Sequence, residues 1–221
     1  MTSSRMKHRP ILLMALVLLG AAAGCARRPP APPVQTVRVP PRVDLTAHEM
    51  IGVVDFGSTS NGELGPLTTA KFIEWARRDQ GLVRIVELGS KKDTLRSVGR
   101  DRWDAETFRA LGRQHGVRTI VVGDLTVSDI RPDIRVFASL KGGDVTATVD
   151  AALDVRLFEA STGASLWSSS GRATQSVGQV SVLSGHGFAF DAGDPEAAYG
   201  DLVESLVDQV TRDLRATWER R

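Results

Sequence analysis

Between Val145 and Glu159 the chain reads VTATVDAALDVRLFE, and Val145, Ala147, Val149, Ala151, Leu153, Val155 and Leu157 take every second position. Thr146, Thr148, Asp150, Asp154 and Arg156 stand between them. A period of two over so long a run predicts a strand with one buried face, because a helix would scatter these apolar residues around a cylinder. Ser161-Thr162-Gly163-Ala164 then reads as a turn, and the return arm SLWSSSGRAT brings Leu166 or Trp167 toward the core. Strands joined by so short a turn pair antiparallel.

Upstream, the apolar run Met50–Phe56 predicts a strand, and Leu64–Arg78 a helix with Pro66 in its first turn and Leu67, Ala70, Ile73 and Ala76 at helical spacing. Gly81 ends it. Leu82–Leu88 predicts a strand apolar enough to be covered on both faces. Lys91–Asp101 is a polar connection with room for one helical turn. Asp104 caps a helix running to His115, with Phe108 and Leu111 inward and Gly116 as its stop. Thr119–Ser128 predicts the third strand. This alternation implies right-handed crossovers and a partly parallel sheet. The expected fold is therefore α/β: a single domain with a mixed sheet, β-α-β-α-β followed by an antiparallel hairpin, and a long C-terminal helix. That last helix is capped by Asp194, starts at Pro195, and carries a stripe of Tyr199, Leu202, Val203, Leu206, Val207, Val210, Leu214 and Trp218 for packing on the sheet.

Two segments exceed what this fold needs. Residues 129–144 lengthen the entry to the hairpin. Residues 175–193 place Val180 and Val182, then Phe188 and Phe190, in alternation around Ser184-Gly185-His186-Gly187, which predicts a second hairpin. A long apolar insertion in a compact domain is usually functional. Val180, Val182, Phe188 and Phe190 are accordingly the expected partner-binding residues, the alternative being a hairpin folded back on its own sheet.

The N-terminus changes the picture from a soluble domain to an exported one. Arg5, Lys7 and Arg9 precede the apolar run Ile11–Leu19, which is too short for the ~20 residues of a spanning helix, and small residues come next. Residues 1–24 read as a signal peptide. Ala22-Ala23-Gly24-Cys25 resembles the bacterial lipobox, with Ala where Leu is more usual at the first position. Cys25, the chain's single cysteine, is then the lipidation site, and residues 25–48 are a tether. That stretch holds six of the ten prolines, and its polyproline II reach is roughly 70 Å. Residues 49–221 form the domain. The formal charge of +2 misleads: without the signal peptide 25 basic residues face 26 acidic ones, so no nucleic-acid partner is expected.

The sequence offers no catalytic constellation. Asp55-Phe56-Gly57 spells the kinase triplet, but no Gly-rich loop or HRD accompanies it. G-x-S-x-G, H-E-x-x-H, Walker A and G-x-G-x-x-G are missing. The histidines His8, His48, His115 and His186 are scattered, and His186 with Asp191 and Asp194 matches no metal-ligand spacing. The expectation is a non-enzyme with no cofactor and no metal.

With the elements in order, the chain resembles the CsgG/LpoB/TolB-N group of envelope proteins. The resemblance rests on IGVVDFGS, VRIVELG, the L-G-x-x-x-G-V run Leu111–Val117, TIVVGDLT, and DVRLFEASTGASLW with its T-G-x-x-L-W turn, and it covers about residues 50–219. It implies a non-enzymatic lipoprotein, anchored in the outer membrane through Cys25 and facing the periplasm. Such a protein binds an envelope protein partner, in the manner of a peptidoglycan synthase activator. The alternative it implies is self-assembly into a CsgG-like secretion ring or channel. The arms within 129–144 and 175–193 are shorter than the ~9–11 residues of a membrane strand and lack an apolar band with aromatic girdles.

Lipidation has a direct readout. A clickable palmitate analogue should label the wild-type protein in cells and leave Cys25→Ser unlabelled; equal labelling of both would remove the anchor.

Overall fold

The structure is a computed structural model that describes residues 36–132, 145–183 and 187–220. Cys25, the stretch 133–144 and Ser184–His186 lie outside the described residues. Residues 38–218 form one compact unit. Thr36–Val39 (β1) and Thr217–Arg220 (β10) make a two-stranded sheet of their own.

The main sheet arises from the alternating patterns. Met50–Val54 (β2), Gly57–Ser58 (β3) and Asn61–Gly62 (β4) lead into the helix Leu64–Gln80 (α1). Arg84–Gly89 (β5), Lys91–Ser97 (α2) and Ala105–His115 (α3) come next. The long strands are Thr119–Pro132 (β6), Val145–Glu159 (β7) and Ser165–Leu183 (β8). Gly187–Phe190 (β9) and Pro195–Val210 (α4) complete it. The strand order is β4-β9-β8-β7-β6-β2-β5, with β3 also on β6. β2 is parallel to both β5 and β6, while β6, β7, β8 and β9 are successively antiparallel.

The inward face of β7 carries the fold. Val149, Leu153 and Val155 are fully buried against Leu202, Leu206 and Val207 of α4, in one core with Phe72 and Ile73 of α1. Asp194 caps α4 by accepting from Ala197 N, as its sequence implies. A second, smaller core of Val54, Phe108, Leu111, Val117, Ile120 and Ala160 lies on the other side of the sheet, under α3. Three layers therefore enclose β5, β2 and β6. Over β7 and β8 that second face is open, and Asp154, Arg156, Ser168, Ser170 and Arg172 are exposed on it.

Several expectations need correction. Leu82–Leu88 was expected to be covered on both faces, and β5 does pack both ways, Ile85 against the main core and Val86 and Leu88 against the second; as the sheet's edge strand it is only half-buried, and Leu82 beside it is 99% exposed. The connection after it holds two helical turns rather than one, because Ser90 accepts from Asp93 N and caps α2. Trp167, not Leu166, packs against the core. The α4 stripe ends at Leu214, and Trp218 is exposed in β10. The domain also starts before residue 49. Leu45 is buried in the main core, and the Gln80 side chain at the end of α1 holds this segment. Its Oε1 accepts from Leu45 N at 2.8 Å, and its Nε2 donates to Val43 O at 2.9 Å and to Leu214 O. Pro40-Pro41 ends the extended run, and the apolar Val43 and Leu45 fasten the residues after it onto the core beside α1.

Leu153→Asp and Leu206→Asp each place an unpaired charge in the main core and should cost about 3–5 kcal/mol, out of the ~5–15 kcal/mol a domain has. Asp154→Asn, exposed on the open face, should be nearly silent in chemical denaturation. Three alike transitions would contradict the facing of β7.

Candidate binding site

A crevice of 450 Å³ lies where the open sheet face meets the start of α3. Local sequence builds its floor. Asp104 accepts from Thr107 N at 2.9 Å and fixes the first turn of α3. That backbone bond, helped by the Arg102 side chain, holds the Asp104 carboxyl down at about 2. The cap sets Trp103 and Phe108 beside one another with ring centroids 5.6 Å apart, and Phe108 stacks on Phe158 of β7 at 4.4 Å. Gly163, with φ +75°, lets the β7–β8 turn press against α3, where a side chain would run into Ala105 Cα at 2.6 Å.

Charged groups form the walls. Asp124 on β6 and Asp154 on β7 are direct cross-strand partners, a like-charge pairing that destabilises a sheet by itself. Lys91, the first residue of α2, closes on Asp124 as an ion pair. Asp154 and its strand neighbour Arg156 are exposed and make no ion pair among the described residues. At the end of β2, burial and then the nearby Glu87 push the Asp55 carboxyl above the usual range.

The residues expected to bind a partner are placed differently. Val180 and Phe190 are buried, at 1% and 0% exposure. The reason is Tyr199 of α4: its ring meets Phe190 edge-on at 5.2 Å, and its hydroxyl donates to Gln179 O and accepts from Ala192 N. The β8–β9 hairpin is thereby stitched to the core, and neither residue faces outward. Val182 and Phe188 are register partners in the predicted hairpin, and their side chains, like Cys25, lie outside the described residues. Asp191 accepts from Ser181 Oγ at 2.6 Å. The crevice residues Lys91, Trp103, Asp124, Asp154, Arg156 and Phe158 were not singled out from sequence. The legible signal was Phe158, an apolar residue at a polar-face position of an otherwise regular strand.

No family model matches the chain, and no curated protein matches it. Solved structures do. The PelC dodecamer from Paraburkholderia phytofirmans is 14% identical and aligns over 83% of this chain and 99% of its own, with a TM-score of 0.47. The LpoB C-terminal domain from Salmonella enterica is 14% identical over 62% of this chain and 86% of its own, at 0.38. Lipoprotein GNA1162 from Neisseria meningitidis is 17% identical over 57% and 83%, at 0.37. These likenesses carry no residue role to this chain.

Asp55 gives a pH test with a definite sign. Its folded pKa is raised, so the folded state binds the proton more tightly, and stability falls as pH rises from the unfolded value of ~3.9 through the folded one. Asp55→Asn should therefore raise the melting temperature at pH 7 and give no gain at pH values below ~3.9. A gain of the same size at both pH values would place its origin elsewhere.

Proposed function

We propose that the chain is a non-enzymatic outer-membrane lipoprotein, held through Cys25, whose periplasmic domain binds another protein of the envelope as an accessory of the peptidoglycan synthase activator type. The crevice is the observation that carries the protein-binding part. Aromatic residues and arginine are enriched at the centre of protein interfaces, with polar groups at the rim. Trp103, Phe158 and Arg156 make such a centre, and the exposed Asp154, Ser168, Ser170 and Arg172 continue it along the open sheet. The anchor rests on the signal peptide and lipobox, and the activator-type role rests on the resemblance of the sequence motifs.

One observation favours self-assembly as a second reading. β8 pairs with β9 only over Val180–Leu183, so from Ser165 to Gln179 its outer edge has no strand partner among the described residues. The α4 side chain Gln209 satisfies this edge at one place, bonding both Arg172 N and Arg172 O. Free strand edges pair readily with another chain.

Photo-crosslinking amino acids placed singly at position 156 in the crevice and at position 174 on the outer edge of β8, in full-length protein expressed in cells, separate these readings. An adduct with a second envelope protein, lost in Trp103→Ala, supports the accessory reading. An adduct at multiples of the chain's own mass supports assembly. No adduct above that of position 77 on α1 would overturn both.

A further inference from the structure

At the opposite end of α3 from the crevice lies a second concavity, of 440 Å³, lined by Arg109, Arg113, Arg118 and Glu159 over a floor that includes Val117 and Ala160. We propose that it is an anion site that takes a phosphate ester.

Three guanidiniums face one carboxylate in this lining. Arg109 and Arg113 stand one turn apart on the exposed face of α3, a like-charge spacing that is unfavourable to a helix by itself. The other arginines around α3 each have a carboxylate partner of their own: Arg96 has Asp93, Arg100 has Glu106 and Arg102 has Asp104. Arg109 and Arg113 make no ion pair among the described residues. Arg118 shares Glu49 at 2.9 Å, but both side chains are more than 60% exposed, and such a pair holds its arginine weakly. Glu159 accepts from Thr162 Oγ1 at 2.5 Å. The concavity therefore keeps an excess of positive charge that the protein itself does not cancel.

The geometry selects the ligand. A carboxylate offers two oxygens and saturates one guanidinium fork, whereas a phosphate monoester offers three terminal oxygens and a charge of about −2 to several forks at once. The space exceeds what a bare phosphate fills, and its floor is apolar at Val117 and Ala160. The organic part of an ester rests there. The same head could come from a soluble ester or from phosphatidic acid, the phospholipid whose phosphate is itself a monoester.

Arginine modification reads the site without knowing the ligand. The full chain is placed in phosphatidylcholine nanodiscs, alone or with sn-glycerol 3-phosphate, and in nanodiscs of phosphatidylcholine mixed with phosphatidic acid. Phenylglyoxal adducts are then counted by peptide mass spectrometry. Occupancy slows modification by the factor by which free sites are depleted. Arg109 and Arg113 should slow roughly fivefold or more under at least one of the two phosphate conditions, with Arg77 of α1 unchanged. Slowing with glycerol phosphate assigns a soluble ester, and slowing only with phosphatidic acid assigns a lipid head; either supports the site. In the supporting condition, Arg113→Gln should return Arg109 to its unprotected rate while the melting temperature holds. Equal rates in all three samples, or the same protection from sodium sulfate at matched ionic strength, would overturn it.

Discussion

Residues 57–62 tie together parts of the sheet that lie far apart in strand order. Gly57 and Ser58 pair with Asp124 and Leu125 of β6, and Thr59 N donates to Leu125 O. Two residues later, Asn61 and Gly62 pair with Ala189 and Phe190 of β9, and Glu63 N donates to Phe190 O at 2.6 Å. β7 and β8 lie between those partners in the sheet. A stretch this short reaches both only if the sheet curls, and the hollow of the curl is what Leu202, Leu206 and Tyr199 of α4 fill. Gly62 is indispensable to the closure. Its φ is +99°, and a Cβ there would lie 2.1 Å from the Phe190 carbonyl oxygen.

Curling also leaves one face of β7 and β8 open to water, and the charges on that face are arranged accordingly. Two like-charge pairs sit directly across the β6–β7 ladder, Asp124 with Asp154 and Asp129 with Asp150. Each has its own cation. Lys91 answers the first from α2, and Arg131 lies 3.5 Å from Asp129 and 2.9 Å from Asp150. An exposed sheet of this kind stays in register because its far side is a continuous core, so its outer residues are free to serve recognition.

The long alternation of β7, the capped helix of α3 and the Asp194-Pro195 start of α4 were legible because each is a local pattern with one physical meaning. That this part of the sheet is parallel was also implied by the order of elements, though the position of β2 between β5 and β6 was not. What could not be read was pairing at a distance. Nothing local marks Asn61-Gly62 as a strand on β9 or turns Val180 and Phe190 inward; their burial depends on the curl and on Tyr199. The crevice was hidden for the same reason. Lys91, Trp103 and the β7 residues Asp154 and Phe158 come from separate stretches of the chain, and only the tertiary fold makes them neighbours.

The hold of Gln80 on the chain has a mechanical meaning. With Val43 O, Leu45 N and Leu214 O all bonded to one side chain, and Val43 N bonded to Asp213 O, the segment that enters the domain is clasped by the last turn of α1 and by the 3-10 turn Arg212–Leu214 together. Arg215 reinforces the clasp by lying over the Trp75 ring while pairing with Asp79 and Asp208. A pull on the chain ahead of Val43 is therefore delivered to a helix end seated in the main core and shared among several bonds that must yield together.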